Sequence, residues 1–358
     1  MDLIERYLRY VEHIKRYSDK TVNTYGAVLG EFMRHAFSDR EDAPTDEEML
    51  QALTPGMIRG YEVHLMEDRG LNARTVNLHI SVLSGFCRFL MKESLLTSNP
   101  ARTVTRPKTA KRLPTTFRQS ALESYFMDTD IFAAPPEDAP PEEFIRRYRE
   151  SRPKGYRENA DETMQTMLSL EKNPEDFRLW LYGKRLRRAL IMTLYCTGIR
   201  RAELVSLNRG DLDSGRMTMR IRGKGDKMRE IPVTRSLYEE ISLYLQAVEM
   251  ICGKEDRDQA LFVTVRGRRI YPEYVDRAVK AELGEAEGFT GRKSPHVLRH
   301  TLATELLDSG TDLYSIKELL GHSSLAATQV YTHNSIEKLR KVYQTAHPRA
   351  KNGGENGD

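Results

Sequence analysis

The side chains best suited to chemistry are concentrated in residues 293–332, which read KSPHVLRHTLATELLDSGTDLYSIKELLGHSSLAATQVYT. The Ser-Pro pair near the start is typical of a helix N-cap followed by the first helical residue. His296, Arg299 and His300 then recur at i, i+3 and i+4, which predicts that they share one face of the first two turns. That face offers one guanidinium and two imidazoles, groups that suit an anionic ligand.

The second half of the same stretch adds a third imidazole and a phenol. Gly310 and Gly321 are predicted to end two successive helices as C′ residues, and a serine just beyond them can cap a third helix. His322 directly follows the second glycine, and Tyr331 is predicted near the end of the third helix. These helices would bring an arginine, imidazoles and a phenol towards a common point, which suits a phosphate and a tyrosine nucleophile.

A phosphodiester fits these residue types, because its transition state carries extra negative charge on two non-bridging oxygens. Two guanidiniums can clamp such oxygens bidentately. Arg299 is predicted to be one of the pair, and Arg200, just after a Thr-Gly turn, to be the second. Lys224, in the turn Gly-Lys-Gly-Asp, is predicted to protonate the leaving 5′-oxygen as a general acid.

The remaining groups complete this chemistry. Tyr331 is the predicted nucleophile, and its phenol, with an ordinary pKa of roughly 10, needs cationic neighbours to ionise. His296 and His322 can donate hydrogen bonds to the phosphate or carry protons, because imidazole titrates near neutrality. Covalent attack conserves the bond energy in a phosphotyrosine, so neither ATP nor a metal ion is required.

The sequence also predicts that the protein has no cofactor. It contains no Walker-type glycine-rich loop and no cluster of carboxylates suited to Mg²⁺. His296 and His300 have the i, i+4 spacing of a zinc helix, but the glutamate of an HExxH motif is absent. Each feature alone is more typical of an ordinary surface, core or turn residue, so the hypothesis depends on the ordered set.

Chain length and the distribution of charge indicate the number of domains and the kind of ligand. The 358 residues are enough for two ordinary domains, and the formal net charge is only +4. Basic residues without an intervening acid follow residue 100: Arg102, Arg106, Lys108, Lys111, Arg112 and Arg118. Such a run is typical of nucleic-acid contact and equally of a solvated linker, and both interpretations stay open.

Cysteine usage and hydropathy indicate the compartment. The three cysteines, Cys87, Cys196 and Cys252, are scattered and form no CxxC pair, which favours a reducing cytoplasm over a zinc site or a disulfide scaffold. The sequence has neither a secretory leader at its start nor an apolar run near 20 residues, so no membrane association is expected.

Helical periodicity predicts an all-helical unit over residues 1–100, in which Thr54-Pro55 begins the third helix and Asn72 caps the fourth. Arg74, Asn77 and His79 are predicted to lie on the outer face of this fourth helix. Residues 97–120 are predicted to be an extended, poorly packed linker, because they are rich in proline and basic residues. Further on, alternation predicts strands over 217–222 and 229–234 and a short strand over 261–265, among several helices.

Residues 127–176 contain a proline-rich acidic break followed by a densely charged stretch, within which 163–170 can form a short helix. A solvated surface insertion is the favoured interpretation. A partner-docking or regulatory element is the alternative, and the residues alone do not decide between the two.

Four motifs, TGIRRAEL, GKGDKMREIPV, HVLRHTLATELLDSG and LLGHSSLAATQVYTH, occur in this order and resemble those of the tyrosine recombinases, closest to the Xer branch. The resemblance covers about residues 1–120 and 177–350. It implies a mainly α fold with a small β-sheet, in which an N-terminal helical, SAM-like core-binding domain precedes an α+β catalytic domain. The insertion at 127–176 departs from the pattern, since Xer-like chains usually have a short connection there.

The resemblance also implies a role for each matching position. The active-site positions of the family correspond to Arg200, Lys224, His296, Arg299, His322 and Tyr331. Glu203 matches an acidic residue that supports the site, and His300 matches the supporting position after the second arginine. The implied organisation is a core-binding domain at 1–100, a basic linker at 101–120, a catalytic domain at 121–350 and a disordered tail at 351–358.

The implied function is site-specific recombination of double-stranded DNA through a covalent 3′-phosphotyrosine, by a tetramer on DNA or together with a paired partner recombinase. The biological role stays open between Xer-like dimer resolution and integration or excision of a mobile element. Two rival functions remain. One is a topoisomerase-like monomer that nicks and reseals DNA with the same chemistry, and the other is a non-catalytic DNA-binding protein, which would need neither Tyr331 nor Lys224.

Overall fold

The structure of the protein is a computed structural model. It describes eight stretches of the chain: residues 2–39, 42–108, 116–133, 140–153, 156–223, 226–253, 259–284 and 293–321. The chain divides into two compact units, Met1–Leu113 and Pro114–Asp358, each built around its own hydrophobic core. Within the described stretches, no helix is both long and apolar enough to span a bilayer.

The first unit is helical throughout its described elements. Its helices are α1 (Leu3–Arg9), α2 (Asp19–Ala36), α3 (Asp46–Ala52), α4 (Pro55–Glu67) and α5 (Ala73–Lys92). Thr54 and Asn72 cap α4 and α5 with their side chains, as the sequence predicts. Helix α3 was not predicted, although its capping box between Thr45 and Glu48 is a recognisable start signal.

The predicted outer face of α5 is wrong at one residue. Arg74 is exposed, but His79 is buried, and its Nδ1 lies 2.9 Å from the phenol oxygen of Tyr61 on α4. The reason is helical spacing, because His79 lies three residues after Val76 and four before Leu83, both core residues. The imidazole is part of the interface between α4 and α5.

The prediction of an extended, poorly packed linker over residues 97–120 is also wrong for the first part of this range. Pro100–Arg102 forms a 3₁₀ turn capped by the side chain of Asn99, which donates in turn to the carbonyl of Ser84 at 3.0 Å. Ala101 and Val104 are buried in the core of the first unit. Residues 109–115 lie outside the described stretches.

The second unit contains most of the helices and the sheet. Its helices are α6 (Gln119–Asp128), α7 (Pro141–Glu150), α8 (Glu162–Leu170), α9 (Pro174–Thr197), α10 (Arg201–Ser206), α11 (Arg235–Cys252), α12 (Pro272–Glu282), α13 (Pro295–Asp308) and α14 (Leu313–Leu320). The centre is α9, whose second half is buried on nearly all sides and packs against α11, α12 and α13.

A small antiparallel sheet lies beside these helices. Its strands, in spatial order, are β1 (Leu212–Asp213), β2 (Thr218–Arg222) and β3 (Met228–Pro232). Met219 pairs with Ile231, and both are buried, so the predicted alternation places one face of the hairpin on the core. The strand expected over 261–265 forms only the single bridge between Val263 and Arg269. The fold is thus mainly α with a small β-sheet, as the sequence predicts.

The insertion is not simply a solvated surface. Its residues form a separate apolar cluster around Phe132, Phe144, Tyr148 and Met164, which also includes Phe177 at the start of α9. The aromatic residues that build it were hidden in the sequence by the dense charges between them. The predicted helix at 163–170 is present as α8.

Candidate active site

Arg200 lies at the junction between α9 and α10. The preceding helix ends at Gly198, whose φ of 60° is in the left-handed region, and this turn leaves Arg200 as the N-cap of α10. The guanidinium Nη1 donates to Glu203 Oε1 at 2.8 Å, and the backbone N–H donates to Glu203 Oε2 at 2.8 Å. Glu203 therefore fixes both the backbone and the side chain of Arg200.

Glu203 has a second partner, which was not predicted from the sequence. Arg229 on β3 donates from Nη1 and Nη2 to the two carboxylate oxygens at 3.0 and 2.9 Å. Both side chains are buried. The available signal was strand parity, because Arg229 shares the inward face of β3 with Ile231 and is a charged residue at a core position.

Burial alone would raise the pKa of the Glu203 carboxyl. The hydrogen bonds and charge of Arg229, followed by the backbone N–H and guanidinium of Arg200, lower this pKa below its ordinary value instead. Glu203 is thus a buried carboxylate held between two arginines, and it keeps its negative charge through the neutral pH range.

Arg299 lies in the second turn of α13 and faces the protein interior. Its Nη1 donates to the carbonyl of Gly198 at 2.5 Å, and its Nη2 donates to the carbonyl of Leu320 at 2.6 Å. Burial, and then the charge of Arg200, lowers the pKa of this guanidinium to about 10, whereas Glu203 acts in the opposite direction. Arg299 remains charged at neutral pH.

All three arginines donate hydrogen bonds to backbone carbonyls at the C-terminal end of α14. Arg299 contacts the carbonyl of Leu320, Arg200 donates from Nη2 to the carbonyl of Gly321 at 2.9 Å, and Arg229 donates from Nε to that of Leu319 at 3.4 Å. Cations at this position complement the negative end of the helix dipole. The three guanidiniums therefore meet where α14 ends, directly before His322 in the chain.

The two histidines of α13 lie in a different environment from Arg299. Both His296 and His300 are exposed, while Arg299 between them is buried. Partial burial, followed by the charges of Arg299 and Arg201, lowers the pKa of His296 below its ordinary value. His296 is therefore neutral at pH 7 and able to accept a proton or donate one hydrogen bond.

Three of the predicted site residues, Lys224, His322 and Tyr331, lie outside the described residues. Directly before Lys224 in the chain, the backbone N–H of Gly223 donates a hydrogen bond of 2.8 Å to the carbonyl of Lys227. The segment that carries His322 and Tyr331 begins after Gly321, which ends α14 with a φ of 65°. The structure thus brings Arg200, Arg299 and Glu203 together and describes the start of both remaining segments.

The arrangement is suited to an anion. Three guanidiniums lie around the single carboxylate of Glu203, so this group of four side chains carries excess positive charge. An arginine has more N–H donors than the bonds above use, and the side chain of Arg200 is 35% exposed. Arg200 can therefore contact an external phosphate while it keeps its bonds to the protein.

Comparison with known proteins decides the family. Residues 4–94 match the phage integrase N-terminal SAM-like domain, and residues 163–338 match the phage integrase family. Tyrosine recombinase XerC of Bacillus pumilus is 32% identical over 353 residues, which cover 97% of this chain and 97% of that protein. The chain belongs to the tyrosine recombinase family. It is accordingly a site-specific DNA recombinase, and the resemblance seen in the sequence is confirmed.

Solved structures of the family have the same fold. The XerH site-specific recombinase bound to palindromic difH substrate, in a post-cleavage complex, aligns with a TM-score of 0.60 at 19% identity, covering 98% of this chain and 82% of that one. The lambda integrase tetramer bound to a Holliday junction aligns with a TM-score of 0.55 at 16% identity, covering 99% and 78%. The expectation of an N-terminal SAM-like domain followed by a catalytic domain is confirmed as well.

Proposed function

We propose that this tyrosine recombinase cleaves double-stranded DNA with Tyr331 as nucleophile and with Arg200 and Arg299 as the phosphate clamp. The observation that supports this most strongly is the convergence of the two guanidiniums on consecutive carbonyls, those of Gly321 and Leu320. Two arginines held this close can share the non-bridging oxygens of one phosphate. The same carbonyls directly precede the segment that carries the nucleophile.

In the proposed reaction, the phenol oxygen of Tyr331 attacks a backbone phosphorus. A bond forms between this oxygen and phosphorus, and the bond from phosphorus to the 5′-oxygen breaks. Lys224 gives a proton to the leaving 5′-oxygen, and His296 or His322 takes the proton of the phenol. The product is a 3′-phosphotyrosine and a free 5′-hydroxyl. Attack by the 5′-hydroxyl of another strand reverses these steps and rejoins the DNA.

Two supporting residues are part of the proposal. Glu203 orients Arg200 through bonds to its guanidinium and its backbone N–H. His300 follows Arg299 on α13 and is assigned to the support of the site through its place in the motif. Neither a metal ion nor an organic cofactor takes part in these steps.

We assign the first unit, Met1–Leu113, to core binding of DNA, the second unit from Pro114 to residue 350 to catalysis, and 351–358 to a terminal tail. These bounds replace the linker expected over 101–120, because Ala101 and Val104 belong to the core of the first unit. The working unit is a tetramer on DNA, because exchange of two duplexes needs four cleaved strands. The same assembly can include a paired partner recombinase. Cytoplasmic location is proposed from the scattered positions of Cys87, Cys196 and Cys252 in the sequence, which contain no CxxC pair.

The test is covalent capture. A duplex is first selected from a random-sequence pool by repeated binding to the protein, and the adduct is then measured on a denaturing gel. Tyr331→Phe should bind this duplex with unchanged affinity but form no adduct. Tyr314→Phe, a change at an exposed tyrosine on α14, is the matched control and should form the adduct at the wild-type rate.

Two results would contradict the proposal. One is an undiminished adduct with Tyr331→Phe, which would assign the nucleophile elsewhere. The other is relaxation of supercoiled plasmid with no dependence on the selected site, which is the behaviour of a nicking and resealing enzyme rather than a recombinase.

A further inference from the structure

Arg229 is the buried charge that the proposed mechanism does not use. It lies on β3, one residue after the hairpin pair Arg222–Met228, and its side chain is 7% exposed. Burying a guanidinium is costly unless its N–H groups are satisfied. Its described bonds go to both oxygens of Glu203 and to the carbonyl of Leu319.

These bonds join segments that are distant in the sequence. Glu203 is 26 residues before Arg229, and Leu319 is 90 residues after it. Glu203 lies on α10, whose N-cap is Arg200, and Leu319 lies at the end of α14. Arg229 therefore connects the first clamping arginine with the helix that leads to the nucleophile segment.

Gly321 shows how closely Arg229 packs against this helix end. A Cβ added at Gly321 would lie 3.0 Å from both Cζ and Nη1 of Arg229. On the hairpin side, a Cβ at Gly223 would lie 3.5 Å from the same Nη1 and 3.6 Å from Glu203 Oε1. Gly223 and Gly321 thus leave room for the guanidinium of Arg229. These two glycines directly precede Lys224 and His322 in the chain.

The charges around Glu203 indicate a role for Arg229 beyond packing. Glu203 is a buried carboxylate that bonds both Arg200 and Arg229. If Arg200 were its only cationic partner, the full attraction of the carboxylate would act on the residue that must bind phosphate. Because Arg229 bonds both carboxylate oxygens, Glu203 holds the Arg200 guanidinium through one N–H. A second N–H of Arg200 bonds the carbonyl of Gly321, and the remaining N–H groups can contact a phosphate.

We infer that Arg229 is a positioning residue for strand cleavage, which acts through Glu203 to hold Arg200 in the orientation that binds the scissile phosphate. This inference rests on the proposed function, in which Arg200 is part of the phosphate clamp. The simpler role for Arg229 is a fold-stabilising bridge between β3, α10 and α14. If Arg229 positions Arg200, its replacement should slow cleavage only when the scissile group is charged. If Arg229 only stabilises the fold, its replacement should slow cleavage of charged and uncharged substrates equally.

The experiment compares two substrates. One is the selected duplex with an ordinary scissile phosphodiester, and the other carries a methylphosphonate at that position. Replacing a non-bridging oxygen by methyl removes the negative charge that the arginines stabilise. The rate of adduct formation is measured in a single turnover at saturating protein for wild type, Arg229→Met, Arg229→Lys and the double variant Glu203→Gln with Arg229→Met.

On the phosphodiester, Arg229→Met should lower the rate by about 100-fold, the size of the loss when one electrostatic donor is misplaced. Arg229→Lys should be intermediate, since an ammonium keeps the charge but not the paired bonds. On the methylphosphonate, Arg229→Met and wild type should react within a few fold of each other. Arg235→Met, at an exposed arginine of α11, is the control and should match wild type on both substrates.

The double variant separates positioning from folding, because it removes both buried charges together and keeps the inference testable if Arg229→Met alone does not fold. Its melting temperature should lie close to that of wild type while its phosphodiester rate stays low. Equal losses on both substrates, or a wild-type rate in either methionine variant, would overturn the inference. Failure of the wild-type protein to form any adduct would instead refute the proposed function.

Discussion

Arg299 donates a hydrogen bond of 2.5 Å from Nη1 to the backbone carbonyl of Gly198, a residue 101 positions earlier in the chain. This bond connects the second turn of α13 to the end of α9, directly before Arg200. The backbone turn between α9 and α10 therefore fixes the positions of Arg200 and Arg299 relative to each other. The geometry of that turn depends on Gly198, whose φ is 60°.

Gly198→Ala should destabilise the protein. An alanine in the left-handed region costs about 1–2 kcal/mol, and the added Cβ would lie 2.6 Å from a methyl of Leu320 and 2.9 Å from one of Leu302. We expect a total loss of about 2–4 kcal/mol in the free energy of unfolding, measured by urea denaturation. Gly210→Ala is the control, because a Cβ at that glycine would have nothing within 4 Å. An unchanged urea midpoint for Gly198→Ala would contradict this account.

Arg299→Ala should separate binding from cleavage. The guanidinium is buried and faces the carbonyls of Gly198 and Leu320, so few DNA contacts at the surface depend on it. Removing one such donor from a phosphate clamp costs about 10²–10³ in the rate of cleavage. Gel shifts and single-turnover adduct formation measure the two quantities, with Arg235→Ala as the exposed control. A variant that cleaves at the wild-type rate would exclude Arg299 from the clamp.

Much of this fold follows from local signals in the sequence. Thr54 and Asn72 start their helices as predicted, because a side-chain cap and the first turn are determined by neighbouring residues. Gly198, Gly310 and Gly321 all adopt positive φ at helix ends for the same local reason. The ordered motifs likewise placed Arg200 and Arg299 in one site.

The errors occur at polar residues whose spacing places them on an inward face and whose partners come from distant segments. His79 is polar, but its position beside Val76 on α5 buries it against Tyr61, a partner 18 residues away. Arg229 was passed over because its partners, Glu203 and Leu319, are close to it only in the folded chain. Sequence pattern gives the face on which a residue lies, and it does not give the element that covers that face.

The insertion provides a test of such packing. Met164 on α8 is fully buried in the cluster that contains Phe132 and Phe144. Met164→Ala should lower the free energy of unfolding by about 2–4 kcal/mol, because it leaves a cavity among aromatic side chains. Met127→Ala, at a methionine that is 75% exposed, should change it little. Equal, small effects of both changes on the urea midpoint would mean that this cluster does not stabilise the fold.

Glu305 on α13 makes stability depend on pH. Its Oε2 accepts a hydrogen bond of 2.9 Å from the phenol of Tyr195, and its Oε1 is buried without a hydrogen-bond partner among the described residues. Burial raises the pKa of this carboxyl to about 7, with the charges of Glu123 and Asp308 adding to the effect and the bond from Tyr195 opposing it. The carboxyl is thus protonated in the folded protein at pH values where it is ionised in the unfolded chain.

The sign of the effect follows from linkage. A raised pKa in the folded state stabilises the fold fully below the ordinary value near 4.5, and this contribution is lost as pH rises through about 7. Glu305→Gln keeps a neutral side chain at every pH, so its free energy of unfolding should exceed that of wild type at pH 8 by about 1–3 kcal/mol more than at pH 5. Urea denaturation from pH 5 to 8 measures this difference, with Glu239→Gln, at an exposed residue of α11, as the control. A difference between Glu305→Gln and wild type that stays constant over this range would show that Glu305 is ionised in the folded protein.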